Sequence, residues 1–140
     1  MNKFLPFLAL LCGLLVSGCA TMQSSKAPGA DLGALKTFYV QRLPPDTRGI
    51  EKLIAERLKM MGYYATTGDT AAPAEPVDAV VTYQDKWMWD LTMYMIKLDI
   101  QIRDGKSGLM LASGESIRPS LQRKSPEGMV EEVLQNTFKK

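Results

Sequence analysis

The run DKWMWDLTMYMIK, Asp85 to Lys97, gathers two tryptophans and three methionines. Met93 and Met95 lie two residues apart, so on an extended chain their thioethers point to one side. Met88, Trp87 and Trp89 can approach them across a hairpin. Thioethers are soft donors that favour Cu(I) or Ag(I), and an indole face attracts a cation. Without imidazole or thiolate these are weak donors, so no metal or other cofactor is expected, and Cu(I)/Ag(I) binding stands as the alternative. The same side chains also suit a partner surface, because Trp and Met are enriched at interface centres. The third reading is ordinary packing, since methionine often lies beside aromatic rings in cores.

Catalytic groups are sparse. The chain has no histidine and two cysteines, Cys12 and Cys19, and it contains neither a GxSxG nucleophile elbow nor a phosphate loop. Two carboxylate pairs remain, Asp85 with Asp90 and Glu131 with Glu132. Neighbours on a helix point in different directions, and Asp85 and Asp90 are explained as strand-end and turn residues. The expectation is a protein that is not an enzyme. With 17 basic and 15 acidic residues and a net charge of +2, no nucleic-acid partner is expected either.

The elements that must hold these residues are legible from periodicity. LKTFYVQ (35–41) reads as a first strand ended by Pro44 and Pro45. DTRGIEKLIAERLKMMG (46–62) carries Ile50, Leu53, Ile54, Leu58 and Met61 at helical spacing, with Asp46 or Thr47 as cap and Gly62 as stop. YYATT (63–67) is a short strand, followed by a loop broken by Pro73 and Pro76. In the central stretch, Ile96, Leu98, Ile100 and Ile102 alternate with polar residues, and Ala79, Val81 and Tyr83 share one side of the preceding strand. The chain must turn between Lys86 and Leu91, and DGKSG (104–108) turns it again into LMLASGESI. Ser125 and Pro126 open a final helix with Met129, Val130, Val133, Leu134 and Phe138 as its apolar stripe.

This order predicts an α+β two-layer sandwich, with a mixed sheet of four or five strands and two helices on one face. If even-numbered Ile96 to Ile102 face the helices, Leu91, Met93 and Met95 lie on the open face, with Trp87 and Trp89 at the turn. The predicted partner surface is therefore Trp87, Met88, Trp89, Leu91, Met93 and Met95 on the open side of the sheet.

The N-terminus has the layout of a secretory signal: Lys3, an apolar run from Phe4 to Val16, then small residues. The run is shorter than the roughly 20 residues needed to span a bilayer. Val16-Ser17-Gly18-Cys19 resembles the lipobox of bacterial lipoproteins. That resemblance implies removal of residues 1–18 and attachment of lipid to the Cys19 sulfur. Because Cys12 lies in the removed run, no disulfide is expected. Ala20, in place of Asp, implies sorting to the outer membrane of a Gram-negative cell, facing the periplasm. Residues 19–34, small and interrupted by Pro28, Gly29 and Gly33, read as a flexible tether to a single domain at 35–140.

The pieces LKTFYV, KMMGYY, VDAVVTYQ and RDGKSGLMLASGES are similar to those of small periplasmic α+β lipoproteins. Comparable sandwiches occur in the lipopolysaccharide-assembly lipoprotein and in the N-terminal domain of the Tol-system beta-propeller protein, neither of them an enzyme. The resemblance implies a membrane-anchored module that binds another envelope protein or itself.

Overall fold

The computed structural model describes residues 18–140. The expected signal segment, with Cys12, Val16 and Ser17, lies outside the described residues except for Gly18. The strands are β1 (Thr21–Lys26), β2 (Thr37–Gln41), β3 (Tyr64–Gly68), β4 (Ala79–Asp90), β5 (Thr92–Asp104) and β6 (Met110–Ile117). The helices are α1 (Ile50–Met60) and α2 (Pro126–Phe138), with short 3-10 turns at Leu32–Ala34 and Ser120–Gln122. Among the described residues the strands form one mixed sheet in the order β1-β6-β5-β4-β2-β3. β2 runs parallel to both β3 and β4, and every other pairing is antiparallel.

The sheet therefore has six strands rather than four or five. The extra one comes from the segment expected to be a flexible tether: Thr21 to Lys26 pair residue for residue with Ile117 to Ala112 of β6. All six side chains of β1 are exposed, so no apolar alternation marks it. What holds it is the backbone ladder, which satisfies an edge of β6 that would otherwise stand open. Side-chain bonds from β1 to the end of α2 add to this, from Ser24 Oγ to the Asn136 carbonyl at 3.4 Å and from Lys26 to the Lys139 carbonyl.

Both helices cover one side of the sheet, α1 over β2 and β3 and α2 over β1, β5 and β6. Between the layers, Ile50, Ile54 and Leu58 of α1 and Met129, Val130, Val133 and Leu134 of α2 close over Val81, Leu98, Ile100 and Ile102. Each fully buried Leu or Ile of this kind contributes about 1.5–3 kcal/mol relative to exposure. α2 lies very close to β6. A Cβ on Gly114 would fall 2.1 Å from Thr137 Oγ1 and 3.0 Å from Val133 Cγ1, so only a residue without a side chain fits there.

The start of α2 follows the expected chemistry, whereas the cap position of α1 is Gly49, at φ 73° and without a side-chain cap bond, rather than Asp46 or Thr47. Ser125 accepts from the Gly128 amide at 3.1 Å with Pro126 at the first position of α2. Asp46 serves α1 more broadly, accepting from the amides of Arg48 (2.6 Å), Gly49 (3.1 Å) and Ile50 (2.9 Å) and from the Tyr83 hydroxyl (2.6 Å). Tyr83 Oη in turn accepts from the Leu43 amide at 3.1 Å. One carboxylate thus ties the start of α1 to β4 and, through Tyr83, to the end of β2. Gly62, at φ 96°, lets the chain leave α1 as its position predicted.

Candidate functional site

The Trp/Met run occupies the far end of the β4–β5 hairpin, and its orientation differs from the sequence expectation. β4 runs unbroken from Ala79 to Asp90, so Trp87 and Trp89 lie within the strand rather than at the turn. The reversal is at Leu91, whose φ of 59° is the only positive value among the described non-glycine residues. Lys86 pairs with Lys97, but Trp87 pairs with Met95. Ile96 is the extra residue of a β-bulge, and beyond it the faces of β5 exchange. Met95 and Met93 therefore point to the same side as Leu98 and Ile100, not to the open face.

The predicted partner surface divides accordingly. Met95 is 1% exposed and belongs to the core, and Trp87 is half-buried against it. Trp87 donates its indole N–H to Asp85 at 2.6 Å, and the Arg48 guanidinium lies 3.9 Å from its ring centroid. Trp89 (70% exposed), Leu91 (87%), Met93 and Met88 remain exposed at the tip. Met88, adjacent to Trp87 and Trp89 on β4, faces the opposite side from Met93. The three thioethers expected to converge on Cu(I) thus lie one in the core, one on each side of the tip.

Apart from Met88 and Tyr94 at the tip, the middle of the open face expected to carry the apolar patch is polar instead. Lys97 pairs with Glu115 at 2.7 Å, flanked by Gln84, Asp99 and Gln101. Burial and the nearby Glu115 charge raise the Asp99 carboxyl above its usual range. A hollow of 160 Å³ there is lined by Gln41, Arg42, Thr82, Gln84, Asp99 and Gln101. That is below the roughly 300–1,000 Å³ typical of small-molecule pockets.

The carboxylates read as possible acid–base pairs are each engaged elsewhere. Glu132 is buried, bonded to Arg118 and to Ser116 Oγ at 3.0 Å, and Glu131 pairs with Arg57 of α1 at 3.2 Å. Burial tends to raise the Glu132 carboxyl, but the bonds from Arg118 and Ser116 outweigh it and hold it below its usual range. Asp90 accepts from Ser120 Oγ. Among the described residues, no three His, Cys, Asp or Glu side chains converge as a metal site would require.

Sequence reasoning did not find the segment that supports the tip. Arg123 donates to Thr92 Oγ1 at 2.8 Å and to the Asp90 carbonyl at 3.4 Å, and its guanidinium lies 4.6 Å from the Tyr94 ring centroid. With the Ser120–Asp90 bond, these contacts bring Leu121, 97% exposed, to the same end of the molecule. The available signal was Leu121 itself, a single apolar residue in the polar run RPSLQRKSP. Cys19 is exposed at this end too, since the next residue, Ala20, donates its amide to Gln122 Oε1 at 3.1 Å.

With this geometry in place, comparison with known proteins identifies the fold. The PelC dodecamer from Paraburkholderia phytofirmans superposes with a TM-score of 0.64 at 15% identity, over 87% of this chain and 100% of that one. A single-substitution variant of the PelC dodecamer from the same organism gives 0.60 at 14%, over 83% and 95%. A PDZ domain protein from Parabacteroides distasonis gives 0.53 at 13%, over 94% of this chain and 39% of that chain. No family model and no curated protein matches the sequence. At such identities the likeness establishes a shared architecture and nothing finer. Among the described residues, no helix is long and apolar enough to cross a membrane.

Proposed function

We propose that this chain is a non-catalytic lipoprotein, anchored through Cys19 to the outer membrane of a Gram-negative bacterium and facing the periplasm, with the β4–β5 tip as its docking element. The observation that carries this reading is the set of exposed apolar side chains at the tip, Trp89, Leu91 and Met93, standing at the same end as exposed Cys19. Buried Trp and Met would be explained by the core alone. Exposed ones, gathered at a projecting end, have the composition of an interaction site.

Its partner is another envelope component or a second copy of the chain. PelC, similar in fold, is described as a dodecamer, and self-association is a form this reading accommodates. The test is metabolic labelling of the full chain with a palmitate analogue, followed by membrane fractionation. The wild type carries label and stays with membranes after a high-salt wash, whereas Cys19→Ser is unlabelled. A wild-type chain that is unlabelled and released by osmotic shock contradicts the reading.

A further inference from the structure

The strands end unevenly. β1 and β6 stop at Thr21 and Ile117, in the cross-strand row that contains Lys97 and Lys86. β4 and β5 continue for four more pairs, Trp87 with Met95 through Asp90 with Thr92. At roughly 3.4 Å per residue, the hairpin projects about 14 Å beyond that row. β1 starts at this end, so the chain before it, Cys19 and Ala20, leaves the sheet in the direction in which the hairpin projects.

Cys19 is also held there. The next residue, Ala20, is bonded through its amide to Gln122 Oε1 at 3.1 Å. Gln122 belongs to the 3-10 turn that Ser120 and Arg123 fasten to Asp90 and Thr92. A continuous series of contacts thus joins Cys19 to the hairpin tip. With β1 paired from Thr21 onward, little slack separates a lipid on Cys19 from the folded domain.

We propose that the occupant of the tip is the lipid leaflet itself: Trp89, Leu91 and Leu121 enter the headgroup region of the membrane that holds the Cys19 lipid, fixing the orientation of the domain. This rests on the anchor reading above and deepens it, putting the leaflet at the tip in place of a protein partner or second copy. Trp is suited to the headgroup level, where its ring is apolar and its N–H can be hydrated. Leu91 and Leu121 are the two most exposed large apolar residues of the described chain, and both lie at this end. Of the cations near this end, Arg118 and Lys124 are paired with Glu132 and Arg123 with Asp90, which leaves Arg48 and Lys86 to meet lipid phosphates.

The experiment reconstitutes the full mature chain into vesicles of phosphatidylethanolamine and phosphatidylglycerol containing brominated phosphatidylcholine, which quenches tryptophan only at bilayer depth. Trp87→Phe leaves Trp89 as the sole reporter, and Trp89→Phe leaves Trp87 as the matched control beneath Arg48. The expected result is about twofold lower Trp89 emission with brominated lipid and protection of Trp89 from iodide, with Trp87 unaffected. Leu91→Asp combined with Leu121→Asp, both fully surface changes, restores Trp89 emission.

A palmitate-labelled chain whose Trp89 is unquenched by brominated lipid and open to iodide overturns the leaflet proposal and leaves the anchor standing. Trp89 shielded from iodide but unquenched by lipid also overturns it, in favour of a protein partner or second copy. A chain without palmitate whose Trp89 is still quenched upholds the leaflet contact and removes the anchor. A chain with neither label nor quenching removes both.

Discussion

Trp87 lies directly across the hairpin from Met95, and Ile96, between Met95 and Lys97, has no partner on β4. This one-residue irregularity decides which side chains of the Trp/Met run are structural and which are available. On its C-terminal side, the alternation of β5 places Leu98, Ile100 and Ile102 in the core. On its N-terminal side, toward the tip, the same face receives Met95 and then Met93, the first in the core and the second exposed past it.

The bulge predicts a sharp difference between two methionines two residues apart. Met95→Ala removes a fully buried side chain and costs about 2–5 kcal/mol. Met93→Ala, at the exposed tip, stays within about 0.5 kcal/mol of wild type. Urea unfolding followed by tryptophan fluorescence measures both. Equal effects would mean that the phase of β5 does not change at Ile96.

Acid sensitivity is predicted at two carboxylates. Burial works against ionisation of Asp46, but the bonds from Tyr83 and from the Arg48 and Ile50 amides outweigh it, so its carboxyl titrates below its usual range. Glu132 is lowered in the same sense by Arg118 and Ser116. A carboxylate whose folded value is depressed stabilises the fold fully above its unfolded value, about 4, and that contribution fades as pH falls below it. Asp46→Asn is therefore clearly less stable than wild type at pH 7, and the gap narrows as pH falls through 4 toward 2. Stability curves at a series of pH values check this, and a gap that widens on acidification contradicts it.

At Gly114 the spacing of α2 over β6 is set by the absence of a side chain. Gly114→Val drives a branched side chain into Thr137 and Val133 and costs about 3 kcal/mol or more by overpacking. Thermal unfolding followed by circular dichroism reads the loss. A Tm equal to that of wild type would mean that α2 can lift from the sheet.

Periodicity made the two helices and the core strands legible, because each buries one face: the stripe from Ile50 to Met61, the alternation from Leu98 to Ile102 and the Ser125-Pro126 cap all took their expected places. Three features gave no such signal. β1 buries no side chain, so TMQSSK shows no period, and it is held chiefly by backbone pairing. The bulge at Ile96 breaks the period of two inside a stretch apolar on both sides of the break, which hides the change of phase. The Arg48–Trp87 contact and the Arg123 contacts join residues far apart in sequence, where spacing says nothing. As a result the face that the run Trp87 to Met95 presents and the burial of Met95 were not legible.

Whether a lipid on Cys19 fixes this domain at a membrane is decided by intact mass measurement of the mature chain, expressed with its own N-terminus in a Gram-negative host. The expected product is a polypeptide that begins at Cys19 and carries the added mass of a diacylglycerol, with an amide-linked acyl chain on the freed amine. An unmodified chain, or one whose first residue is not Cys19, contradicts it.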